Sequence, residues 1–158
     1  PSSGLHTNGY TLARAVLDGL SWTEPRPDLD GQTVGDALLQ PHRCYATAIN
    51  QLQDAGVDIR GLSHITGGGL IDNPPRIFPD GVGAVIHRGA WVEPPLFGLI
   101  QQLGNIADAE MFHVFNMGLG MLIIVPPDAV ALAQETLGDV VVVGEMVGGE
   151  TAVFMSDK

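Results

Sequence analysis

Apolar positions recur along this chain in two periods, one helical and one extended. Leu12, Val16 and Leu20 follow i, i+4 spacing, which sets them on one helix face, and Thr7 or Asn8 just upstream offers an oxygen to cap that helix. Residues 24–31, rich in proline and acids, read as an exposed loop. Thr33 opens a short second helix through Leu39, stopped by Pro41. A third helical pattern holding Ile49 and Leu52 runs to Ala55, with Gly56 where a left-handed stop belongs. Residues 43–46 before it fit either a strand or the first turn of that helix. Residues 62–66 read as a strand that runs into Gly67-Gly68-Gly69, and residues 70–80 as a short helix and a proline-rich loop. Residues 83–87 form the next strand. Pro95 opens a helix with Leu96, Ile100 and Leu103 on one face. The continuous apolar run 119–125 predicts a buried strand. Pro126, Pro127 and Asp128 begin a last helix through Leu137, and residues 140–147 and 152–155 predict a closing hairpin about Gly148-Gly149. Such irregular alternation predicts an α+β fold, a mixed or antiparallel sheet covered by helices. No linker is long enough to divide residues 1–158, so one domain is expected.

Composition narrows the picture. With 158 residues and 45% hydrophobic positions the chain can build a sizeable core and is not a disordered tail. No apolar run reaches the ~18–20 residues of a membrane helix, and the best, 117–125, contains two glycines. Eighteen acids against seven basic residues give a net charge of −11, which excludes nonspecific binding to nucleic acid or to an anionic membrane, since both require a basic field. The single cysteine, Cys44, has no internal partner; that fits a reducing compartment, the cytoplasm, and a small buried hydrophobe better than a nucleophile. The opening Pro1-Ser2-Ser3-Gly4 carries neither an initiator Met nor a signal core, so the chain is expected to be part of something longer.

Three glycine-bearing patches are the candidate chemistry. In residues 2–10, His6, Asn8 and Gly9 precede a helix whose first N–H groups favour an anion, or simply make a capped helix start. In residues 64–70, Gly67, Gly68 and Gly69 let backbone approach a ligand and present successive N–H donors; the alternative is a tight strand-to-helix turn. Asn73 and Arg76 follow, the guanidinium able to fork onto a phosphate or carboxylate, or to sit as a surface arginine. In residues 115–121, Asn116 precedes Gly118 and Gly120, which bare one side of a strand for a flat ligand or for close packing. Neither a Walker loop nor the Gly-x-Gly-x-x-Gly fingerprint is present, and there is no Gly-x-Ser-x-Gly elbow. The five histidines show no i, i+4 pair and no Cys-x-x-Cys companion, so no metal site is expected from spacing. Asp72, Glu93 and Glu110 flank these loops, but in so acidic a chain they read as solvated surface.

These patches, in this order, with Gly35-Asp36-Ala37-Leu38-Leu39-x-Pro41 and Val143-Gly144-Glu145-Met146-Val147, resemble the C-terminal half of aminoimidazole ribonucleotide synthetases, the phosphoribosylformylglycinamidine cyclo-ligases of purine biosynthesis. The resemblance runs across nearly the whole chain. It implies a layered α/β/α domain with partial likeness to a ferredoxin-like arrangement. It also implies a missing N-terminal half that binds ATP and makes most of a homodimer contact. The implied reaction uses ATP and Mg2+ to phosphorylate the formyl oxygen of formylglycinamidine ribonucleotide; the amidine nitrogen then closes the imidazole ring and expels phosphate. Neither cofactor is expected to bind tightly to this domain alone, which is expected to be inactive without its other half. Carried over by motif, His6, Asn8 and Gly9 line the substrate side of a cleft. Gly67, Gly68 and Gly69 admit a phosphate with Asn73 and Arg76 as polar partners, and Asn116, Gly118 and Gly120 shape the floor. The chain departs from the family where many relatives carry Thr-Arg after the proline, here His42-Arg43, and where a basic residue and Thr precede Phe115, here His113-Val114. The alternatives are a related ATP-using enzyme (formylglycinamidine synthase, selenide–water dikinase, thiamine-phosphate kinase or the hydrogenase maturation protein) and a noncatalytic binding or assembly module, which the two departures favour.

Overall fold

Thr33 shows how directly some elements follow from sequence. In the computed structural model, which describes residues 1–157, its hydroxyl accepts the Asp36 N–H at 2.9 Å while the Asp36 carboxylate accepts the Thr33 N–H at 3.3 Å. That reciprocal cap starts the second helix, α2 (Val34–Leu38), after α1 (Tyr10–Leu17). The third helix, α3 (Ala46–Asp54), stops one residue before Ala55, and Gly56 adopts the left-handed conformation, φ 78°.

The start of α1 differs from the expected cap. Its N-cap is Gly9, at φ 70°, because a Cβ there would run into the Phe115 ring. The Thr7 hydroxyl and the Asn8 amide instead both donate to the His6 carbonyl, at 2.5 and 2.8 Å, bracing a turn in which His6 and Thr7 have φ 55° and 63°. The buried face of α1 is also rotated: Ala13 and Leu17 lie fully inside, while Leu12, Val16 and Leu20 flank them half-buried.

Five strands form two sheets. β1 (Gly61–His64) pairs antiparallel with β3 (Met121–Ile124), with His64 opposite Met121. β2 (Val82–Arg88) lies between β4 (Gly144–Gly148), antiparallel to it, and β5 (Val153–Asp157), parallel to it. The expected closing hairpin is therefore replaced by two strands that straddle a third. Gly83 permits this: a Cβ there would press on the carbonyls of Glu150 and Ala152, which cross beside it. Residues 140–143 form no ladder of their own, and Val141 and Val142 are about half exposed. They border a groove of about 540 Å³ together with Ile123, Ile124, Val130 and Leu137. This leaves β3 half-buried rather than buried.

Between the strands run α4 (Gly69–Asp72), α5 (Pro95–Gly104), α6 (Asp108–Val114) and α7 (Val130–Leu137). α5 buries Leu96, Phe97, Leu99 and Ile100 but leaves Leu103 half exposed. α6 was not foreseen: it is two turns long and its apolar pair, Met111 and Phe112, is adjacent rather than spaced, so no period marks it. Phe97 and Phe115, both fully buried with rings 5.9 Å apart at 59°, lie in the core shared by α1, α4, α5 and α6. The architecture is α+β, helices packed over one antiparallel and one mixed sheet. No helix among the described residues is long and apolar enough to cross a membrane.

Candidate functional site

The three glycine patches, separated by up to 114 residues, are stitched to one another. The Ser2 N–H donates to the Gly118 carbonyl at 2.7 Å and the Ser2 hydroxyl to Asn116 Oδ1 at 2.8 Å, joining the first patch to the third. The Ile65 N–H donates to the Gly120 carbonyl at 2.9 Å, joining the second to the third. A Cβ on Gly67 would stand 3.5 Å from Asn8 Oδ1, which places the first patch beside the second. They meet at one face, whose third patch is buried from Phe115 to Gly120, and the apolar groove of about 540 Å³ borders it, lined in part by Leu119 and Met121.

Within that face the predicted residues divide by role. Asn116, 2% exposed, accepts the Gly118 N–H at 2.9 Å on Oδ1 and donates from Nδ2 to the Gly4 carbonyl at 2.8 Å. Asn73, 3% exposed, accepts from the Thr66 N–H and hydroxyl and donates to the Gly67 carbonyl at 3.0 Å. Both asparagines are fully occupied in holding loops, so they position the face rather than reach out of it. Gly69, φ 56°, sits against the Phe112 carbonyl; Gly118, φ 97°, sits against Pro94; Gly120 makes room for the Tyr45 hydroxyl and the His6 ring. Gly9 is pressed on Phe115. Close packing explains these four glycines. Gly67 is exposed and uncrowded, and Gly68 is packed as well, a Cβ there standing 2.9 Å from Asp72 Cβ and Asn73 Nδ2, yet no hydrogen bond among the described residues uses the N–H group of either. With Gly68 at φ 104° they form a short backbone concavity able to receive an anion. Arg76 is exposed on the 3₁₀ turn Pro74–Ile77 that packs beside β1. At the edge of the same loop His113 Nε2 lies 2.8 Å from Asp72 Oδ2.

His6 has the most constrained environment of the set. It is 4% exposed, and Ser3 approaches Nε2 with both its N–H and its hydroxyl, each at 3.0 Å. Nδ1 is buried without a hydrogen-bond partner. The His42 ring stacks on it at 4.0 Å and 17°, and Tyr45 meets it edge-on at 6.0 Å. His42 Nε2 is in turn 3.3 Å from His64 Nε2. Burial first, then the neighbouring His42, His64, chain amine and Arg43, lower the His6 pKa to about 4. Burial, and secondarily His42, lower that of His64. Burial also raises the Tyr45 hydroxyl, which donates to the Pro1 carbonyl at 2.9 Å, to about 12.

A pH dependence of stability follows. Because folded His6 resists protonation while the unfolded imidazole titrates at its ordinary value of 6.5, the unfolded chain binds the extra proton between that pH and about 4. The His6 contribution is complete above that window and is lost as pH falls through it, by ~3 kcal/mol at most. Urea midpoints at neutral pH and near pH 4 should fall more steeply in the parent sequence than in His6→Gln; equal slopes would contradict the assignment.

Sequence spacing missed several participants. Ser3 and Thr66 lie inside the first two patches without a spacing that marks them as loop-bracing groups, Tyr45 lies in none of the three, and the histidine cluster is invisible because its members lie 36 and 22 residues apart. Cys44, expected inside, is exposed beside this cluster in sequence.

Known proteins resemble this chain along nearly its whole length. The family model described as "AIR synthase related protein, C-terminal domain" matches residues 1–156. A chloroplastic phosphoribosylformylglycinamidine cyclo-ligase of Arabidopsis thaliana is 48% identical over 156 residues, covering 95% of this chain and 40% of that protein. The phosphoribosylformylglycinamidine cyclo-ligase of Symbiobacterium thermophilum is 49% identical, covering 94% and 44%, and that of a Thermoanaerobacter species is 44% identical, covering 98% and 47%. The chain thus spans less than half the length of these curated relatives.

Proposed function

The chain belongs to the AIR synthase related protein, C-terminal domain family, and from that premise we propose that it forms the substrate-facing half of an ATP-dependent cyclo-ligase. In the proposed reaction formylglycinamidine ribonucleotide becomes aminoimidazole ribonucleotide, with a companion N-terminal half supplying the nucleotide site and a homodimer contact. The observation that carries this reading is the face on which the three family patches meet, with unengaged N–H groups at Gly67 and Gly68.

The donors of the described residues do not form a site suited to Mg2+. Among the described residues the one cluster able to hold a metal is His6, His42 and His64, and Mg2+ demands oxygen ligands. What these residues offer is binding and orientation. The Gly67–Gly68 N–H groups receive a phosphate oxygen, and Arg76 can close on the same anion as a bidentate fork. Asn8 lies beside Gly67 at the edge of that concavity, and His6, held neutral, contributes a polar wall without repelling or protonating the substrate. Ring closure inside one substrate needs its two ends held together more than it needs a protein nucleophile, and that is the service such a face renders. The single exposed cysteine and the reading as a metabolic enzyme suit a reducing compartment such as the cytoplasm.

The test uses the longer protein that carries this domain. It should convert formylglycinamidine ribonucleotide and ATP to the imidazole with release of ADP. Arg76→Ala should raise the substrate KM by roughly 10–100-fold, the loss expected for a charge-assisted hydrogen bond, with a smaller change in kcat. ATP hydrolysis without ring closure would assign the chain to one of the related enzymes, and silence in both assays to a noncatalytic module.

A further inference from the structure

We propose that His6, His42 and His64 form a three-nitrogen site for a divalent transition metal ion of the zinc type. One ring nitrogen from each lies within 4.8 Å of the other two. His42 Nε2 and His64 Nε2 stand 3.3 Å apart, so two of the three nitrogens already meet before any ring turns. The third ligand is the feature that calls for an occupant: His6 is 4% exposed and its Nδ1 is buried with no partner, an arrangement that native interiors rarely tolerate. An ion on Nδ1 requires the ring proton on Nε2. There the Ser3 hydroxyl oxygen, at 3.0 Å, accepts it in place of the present Ser3 N–H contact, its own proton being donated to the Pro41 carbonyl at 2.6 Å. That relay is the support a ligating imidazole ordinarily receives from its outer shell.

The three rings come from separate segments: the turn before α1, the loop before α3 and the end of β1. His42 and His64 are exposed, so an ion can enter from solvent and would keep a fourth position open to water or to an anion. His42 now stacks on His6 and must turn about its side-chain bonds to point its nitrogen at the ion, which its exposure permits. The site goes beyond the proposed function and does not depend on it; His42 stands at a departure from the family pattern.

Zn2+ titrated into the chain against a chromogenic chelator should bind at one equivalent, and Co2+ in its place should give the intense visible bands of a four-coordinate ion. His42→Gln and His64→Gln, both at exposed positions, should each weaken Zn2+ binding at least ~100-fold while circular dichroism and the urea midpoint stay unchanged, and Ser3→Ala should weaken it roughly 10–100-fold. His113→Gln and Cys44→Ser should bind as the parent does. The absence of saturable one-to-one binding would overturn the proposal, as would binding that survives His42→Gln or that disappears with Cys44→Ser. Failure of the cyclo-ligase assay would leave these outcomes untouched.

Discussion

Gly69→Ala should destabilise the domain by roughly 2–5 kcal/mol, or prevent its folding, whereas Gly67→Ala two residues earlier should fold within about 0.5 kcal/mol of the parent. Gly69 adopts φ 56°, and a Cβ there would sit inside van der Waals contact of the Phe112 carbonyl oxygen and 2.9 Å from the His113 carbonyl carbon. Both obstacles are backbone of α6 and cannot swing aside. The left-handed conformation costs a non-glycine residue roughly 1–2 kcal/mol, and overpacking about 1–3 more. Gly67 has an ordinary φ, and its nearest neighbour would be Asn8 Oδ1 at 3.5 Å. Urea unfolding of the two variants measures the contrast. In the longer enzyme the order should reverse in meaning: Gly67→Ala folds but crowds the N–H concavity, so its substrate KM should rise. Equal stability losses at both positions would show that the triplet is purely a packing device.

The second large effect belongs to Asn116. Its side chain binds the Ser2 hydroxyl, the Gly118 N–H and the Gly4 carbonyl inside the protein. Asn116→Leu removes all three and strands two buried backbone groups, for an expected loss of about 3–5 kcal/mol. Asn116→Asp keeps the shape but sets a carboxylate oxygen against the Gly4 carbonyl. The buried acid resists ionisation, so its folded pKa rises above the unfolded value near 3.9. Its penalty should be small below that value, where the protonated acid can donate to Gly4, and should grow as pH rises through the folded pKa. Relative to Asn116→Leu, the Asp variant should therefore recover stability on acidification. A pH-independent difference between the two would contradict the hydrogen-bond assignment.

How much of this was legible beforehand depends on how local each cause is. α2 was readable because Thr33, Asp36 and Pro41 carry the whole instruction within nine residues. α6 was not, since two turns with one adjacent apolar pair give no period, and tertiary burial of Met111 and Phe112 makes it a helix. The valines at 140–143 have strand propensity, yet only Val143 meets a partner edge, its carbonyl accepting the His87 N–H of β2 at 2.8 Å, and propensity yields to pairing. Strand order is a long-range property: nothing within residues 140–157 says that β2 slips between the last two strands. The candidate face shows the same division. The glycine patches advertise themselves in sequence, but which glycines meet protein and which meet solvent depends on Phe112, Phe115, Pro94 and Tyr45, residues with no motif to announce them. The histidine cluster lies wholly on the long-range side of that line.

Sheet order also bears on how the protein is made. Both neighbours of β2 are drawn from residues 144–157, so on a ribosome adding roughly 5–20 residues per second the strand waits through about 55 further residues, some ~3–11 s, with neither edge covered. Throughout that interval the nascent chain offers two bare rows of amide and carbonyl groups beside an apolar sequence, the condition under which growing chains associate with one another. Demand on a chaperone during biosynthesis thus rises between the synthesis of β2 and that of β4 and β5, set by where the closing strands lie in the message.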